Sequence, residues 1–156
     1  MTTVILVICV APFIAMRQHK IKRERHRAAL LNTCATEHGC EISQREFCGN
    51  FAIGIDKEKK AVCFARQTKA GDTLRYIPLA EYSACKSSRK TRSLNGGGRS
   101  QVVFTGIDLA FTPKQAGAPE IRLELYSEHE NAIITGEVEC AEKWAGLISQ
   151  QLNGQA

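Results

Sequence analysis

The order of apolar and polar positions divides the chain into three textures. From Thr2 to Met16 no side chain is charged. From Lys20 to about Glu37 the spacing becomes helical, with Ala28, Leu31, Cys34 and Ala35 recurring three and four positions apart and Gly39 as a stop. Beyond Gly39 a period of two takes over. FAIGID places Phe51, Ile53 and Ile55 on one face, and AVCFARQ sets Val62, Phe64 and Arg66 against Cys63 and Ala65. SQVVFTGIDLAFTP aligns Val103, Thr105, Ile107, Leu109 and Phe111, and PEIRLELYS aligns Ile121, Leu123 and Leu125. CEISQREF, TLRYIPL and EYSACKSSRKTR are weaker strands, and Pro78 marks a strand end or an edge. DKEKK, KAGD and NGGG separate these runs as turns, the last a glycine hairpin tip. The rhythm predicts about seven antiparallel strands in a mainly β (α+β) barrel or sandwich. The period then switches back in EVECAEKWAGLISQQL. Val138, Ala141, Trp144, Ile148 and Gln151 share a face there, an amphipathic helix over about 137–152 that closes the chain and stops at Asn153-Gly154.

The uncharged N-terminal run would span roughly 22 Å as a helix, short of the ~30 Å hydrocarbon core. Its flanks point to a membrane nonetheless. A secretion signal is basic before its apolar run, whereas here Arg17, Lys20, Lys22, Arg23, Arg25 and Arg27 follow it. That asymmetry predicts a single-pass anchor over residues 1–18, retained in an inner membrane, with the rest of the chain in the cytoplasm. A basic juxtamembrane helix over 19–38 would follow, and a β-domain over 39–156. Cleavage of the run as a signal peptide, and burial of it in a soluble domain, are the alternatives. Pro12 suits a membrane helix better than a soluble one. Cys9, preceded by Ile8 rather than a small residue, reads as an apolar side chain in lipid, not a lipoprotein site.

Charge sharpens this picture. Residues 17–27 hold six basic residues and one acid, which accounts for the whole net charge of +5. A second basic island, Lys86, Arg89, Lys90, Arg92 and Arg99, contains no acid. It is either a solvated loop or a surface for anionic lipid headgroups, each basic residue contributing about 1 kcal/mol near a bilayer. No specific nucleic-acid contact is expected.

The chemistry-bearing residues are scattered. Seven cysteines, an odd number without regular spacing, argue for free thiols rather than a disulfide framework. Cys34, His38, Cys40 and Cys48 are the candidate zinc ligands, but Cys-x3-His-x-Cys-x7-Cys lacks the tight pairs that zinc sites use. Buried or half-buried thiols with an exposed His38 are the simpler reading. NGGGRS lacks the Lys-Ser/Thr of a phosphate loop, and no G-x-S-x-G or H-E-x-x-H occurs. A pair such as Cys40 with His129 would need to be assembled by the fold. No catalytic residue and no cofactor is expected, so the chain is read as non-catalytic. Trp144, the only tryptophan, is either a plug over one open end of the sheet or an exposed interface anchor.

Seven strands closed by one amphipathic helix resemble the pleckstrin-homology-like barrel. The stretch from Phe51 to Leu152, with FAIGIDKEKK and GEVECAEKW, is similar to an uncharacterised family of small bacterial membrane-tethered proteins that share an apolar start and a basic helix. The resemblance implies a scaffold for protein or lipid contact. The expected function is therefore that of a membrane-tethered binding module for a protein partner, engaged along a strand edge or beside the C-terminal helix. Recognition of anionic headgroups through 86–99 is the alternative, and a thiol- or zinc-dependent role the third.

Overall fold

A computed structural model of the chain describes the backbone of residues 2–154 and the side chains of residues 10–154. The expected role of Cys9 lies outside the described side chains. The fold is α+β: a long N-terminal helix, seven antiparallel strands in two sheets, and a C-terminal helix packed on the strands. Helix α1 (Thr2–Glu37) runs without a break through Pro12. The anchor and basic helix expected as separate segments are thus one rod. Among the described residues no helix is long and apolar enough to cross a membrane. The physical reason is the abrupt switch at Arg17, which puts charge on the rod before a bilayer thickness is reached.

Gly39, at φ 64°, ends α1, and the Cys40 N–H bonds back to Ala35 O. The chain then winds β1 (Gln44–Cys48), β2 (Phe51–Asp56), β3 (Ala61–Thr68) and β4 (Gly71–Pro78) into one meander. A short 3-10 turn, Leu79–Glu81, crosses to a second meander of β5 (Tyr82–Gly96), β6 (Arg99–Pro113) and β7 (Ile121–Ser127). The sheets do not join into a closed barrel: β4 and β5 are not paired, because Pro78 and the turn redirect the chain at the seam. Arg66 on β3 ties the sheets across the gap by reaching Glu124 on β7 at 3.2 Å.

The core lies between the sheets and helix α2 (Glu137–Leu152). Phe51, Ile53, Ile55, Val62 and Phe64 meet Ile107, Leu109, Phe111, Leu123 and Leu125, and Trp144 fills the centre of the α2 side. Trp144 has no exposed surface, so it is the plug and not a surface anchor. Strand β2 is buried on both faces because the second half of α1 covers the back of the first sheet. The small residues Ala52, Cys63 and Ala65 give that helix room, and Leu31, Cys34 and Ala35 fill it. Gly54 is part of the same fit: a β carbon there would stand 2.8 Å from the Ile42 side chain.

One alternation departs from expectation. A bulge where β6 inserts Thr105 between the pairs Lys90–Gly106 and Thr91–Phe104 shifts the parity of the strand. Val103 consequently leaves the face of Ile107, Leu109 and Phe111, while Phe104 and Val102 join it.

Candidate functional site

Two regions collect the residues that sequence singled out. The first is the β5–β6 ribbon. Its tip is a two-residue turn in which Gly97 and Gly98 take φ 61° and 78°, as a hairpin with a matching twist requires. Strand β7 pairs with β6 only from Gly106 to Phe111, with one further bond from Glu128 N–H to Thr105 O. Beyond Thr105 the ribbon is therefore a two-stranded arm. In a two-residue hairpin the flanking pair, Gly96 and Arg99, exchanges both ladder bonds, and bonding pairs alternate from there. Ser100, Val102 and Phe104 consequently turn their main-chain groups away from β5, to the open side.

Of the five basic residues only Arg92 and Arg99 lie on this arm, while Lys86, Arg89 and Lys90 lie on the three-stranded part of β5, and together they are not a free cationic surface. Arg89 pairs with Glu142, Lys90 stands 3.1 Å from the buried Asp108 carboxylate, and Arg92 lies 3.3 Å from Glu128. Among the described residues Lys86 and Arg99 are without an ion-pair partner. Apolar side chains share the arm: Val102 is 66% exposed and Leu94 44%.

The second region holds the thiols. Cys34, His38 and Cys40 do converge, at the end of α1, and Cys63 of β3 joins them. Cys48 does not; it sits at the far end of β1 against Cys140 of α2. Sequence spacing missed both partners because each comes from another element. The alternation of AVCFARQ already placed Cys63 opposite Val62, on the face that α1 covers. Among the described residues no group of three His, Cys, Asp or Glu side chains is arranged to hold a metal ion. His38 instead stacks on Tyr76 at 3.9 Å, with its Nδ1 2.9 Å from Cys34 O. Cys40 and His129 are not brought together: the Cys40 thiol donates to His38 O, while the His129 carbonyl accepts from Lys69.

The two thiol pairs share an electrostatic logic. A hydrogen bond from Cys63 draws the Cys34 thiol down to about 7 against the cost of burial, and His38 helps. The same pairing and burial push Cys63 up. At the other site Cys140 donates to Cys48 and lowers it; burial, Glu137 and Glu46 oppose, and Arg27 assists. Cys140 is raised in turn. Cys85, alone in the core, is pushed up to about 12 by burial.

Beside Cys48 runs a groove of about 750 Å³ between α1 and the β1–β2 turn, lined by Lys20, Arg23, Glu24 and Arg27 among others. Arg27 forms its floor. It is 6% exposed, and its guanidinium donates to the carbonyls of Gly49 and Phe51. Comparison of the chain with protein-family models, with curated proteins and with solved structures found no match.

Proposed function

We propose that the domain is a non-catalytic binding module that takes an extended segment of a partner protein along the open side of the β5–β6 arm. The observation that carries this reading is the stretch Gln101–Phe104 of β6, which pairs with β5 on one side and with no strand on the other. Proteins usually blunt such an edge with a charge or a proline, and QVVF has neither. Strand addition would satisfy its outward amides and carbonyls, while Val102 offers apolar contact on one face of the arm and Leu94, opposite Gln101, on the other. Seven antiparallel strands followed by a helix are the element order that the PH-like resemblance implies, although the two sheets do not close into a barrel.

The test is surgical because the ladder alternates. With a photocrosslinker at Leu94 in the cell, a discrete protein adduct is expected. Val102→Pro removes only an outward N–H and should abolish that adduct while leaving the β5–β6 ladder intact. Persistence of the adduct in a folded Val102→Pro protein would remove strand addition from consideration.

A second reading concerns where the module works. Phe13, Ile14 and Met16 are 77%, 51% and 73% exposed on α1, directly before the basic residues 17–27. This supports seating that end of α1 in an anionic membrane surface, with the domain on the cytoplasmic side. Flotation with phosphatidylglycerol vesicles is expected, lost on Phe13→Asp with Met16→Asp and retained on Lys86→Glu with Arg99→Glu. The reverse pattern would assign lipid contact to the hairpin instead.

A further inference from the structure

We propose that Cys48 and Cys140 form a dithiol site that reacts with small anionic disulfides, admitted through the basic groove beside α1. The inference is independent of the arm and of any protein partner.

Position supports it first. Cys48 is half-buried at the end of β1 and forms part of the groove wall, whereas Cys140 is 4% exposed behind it. One thiol can meet a reagent and the other can only meet its neighbour. The approach is built in: Cys140 lies in the first turn of α2, its N–H bonded to Gly136 O, and a β carbon at Gly136 would stand 4.0 Å from Cys48 Sγ. The other pair lacks this asymmetry. Cys34 and Cys63 are 1% and 0% exposed, both sealed beneath α1.

Charge supports it next. Lys20, Arg23 and Arg27 line the groove against one acid, Glu24, so a carboxylate-bearing reagent is drawn in. Around Cys48 itself, Arg27 favours the thiolate and Glu137 and Glu46 oppose it, but the hydrogen bond from Cys140 tips the balance toward the thiolate. A groove-lining thiol with a lowered pKa beside a buried resolving thiol is the arrangement that disulfide exchange needs.

The chemistry balances without any other reactant. The Cys48 thiolate attacks one sulfur of R–S–S–R, forming a mixed disulfide and releasing one R–S⁻, which takes up the proton that Cys48 lost. Cys140 then gives up its proton and attacks the Cys48 sulfur, displacing the second R–S⁻, which becomes R–SH. Two protein thiols are oxidised, one small disulfide is reduced to two thiols, and β1 is bonded to α2.

The experiment uses the reduced full chain and oxidised glutathione, with unreacted thiols alkylated and the linkages mapped by peptide mass spectrometry. The first linkage expected is Cys48–Cys140. In Cys140→Ser a single glutathione should remain on Cys48. Lys20→Glu with Arg23→Glu should slow the reaction about tenfold with oxidised glutathione, while leaving the uncharged 2-hydroxyethyl disulfide at its original rate. A first linkage at Cys34, Cys40 or Cys63, or equal slowing with both disulfides, would overturn the proposal. The mapping on the unaltered chain decides the matter even if a variant fails to fold.

Discussion

Trp144→Ala is expected to lower the free energy of unfolding by about 4 kcal/mol, seen as a large drop in the urea midpoint. Trp144 is the largest of the fully buried side chains, and it stands where α2 seals the space between the sheets. Truncation leaves a cavity bordered by both sheets and α2. A second loss comes from the indole. Its Nε1–H donates to Glu46 at 2.8 Å, and Lys143 donates to the same oxygen at 2.9 Å. Burial disfavours the Glu46 carboxylate, but these two bonds outweigh it and hold its pKa below the usual value. Trp144→Phe, which retains most of the ring volume, should cost only about 1–2 kcal/mol and should reduce the acid sensitivity that Glu46 confers. Loss of less than about 1 kcal/mol in Trp144→Ala would mean that α2 is not the closure of this core.

Much of this organisation was legible from patterning, and the exceptions have physical causes. The strands of the first sheet could be read because one face is large and aliphatic and the other small, which is also why α1 can lie on its back. The C-terminal helix and its central tryptophan were equally clear, since EVECAEKWAGLISQQL repeats its apolar positions at helical spacing around Trp144. The barrel failed at Pro78, where a local signal for a strand end was visible but its consequence, a seam between two sheets, was not. The parity of β6 failed at Thr105, because a bulge leaves no mark in an alternating pattern. Site residues were least legible. A basic island looks cationic in sequence, yet Glu142, Asp108 and Glu128 come from three other segments to neutralise it. Cysteine spacing likewise grouped Cys48 with Cys34 and Cys40, whereas strand direction carries it to the opposite end of the sheet.

The charged run DKEKK hides the second large effect. Asp56 reads as the first residue of a solvated turn, yet it is 3% exposed. Its carboxylate accepts the N–H groups of Glu41 at 2.8 Å and of Glu58 and Lys59 at 3.0 Å each. The turn is thereby closed from within and fastened to the segment leaving α1, and the Lys59 ammonium adds a bond to the Gly39 carbonyl. The amide of Lys59, ahead of the opposing effect of burial, holds the Asp56 pKa below its ordinary value; Glu41 and Glu58 contribute as well. Asp56→Ala should therefore cost about 3 kcal/mol, because three amides lose a charged acceptor in a site that water cannot fully reach. Asp56→Asn should cost roughly half as much, since one amide oxygen can still accept. Linkage fixes the pH dependence. The unfolded carboxyl takes its proton near pH ~3.9 and the folded one only below that, so the stabilisation is fully present above the unfolded value. It is lost as the pH falls through the folded value. Urea titrations at about pH 7 and about pH 2 should show the difference between the native chain and Asp56→Ala shrinking on acidification. A difference of the same size at both would mean that Asp56 acts by shape alone, not as an anion gathering the amides of the turn.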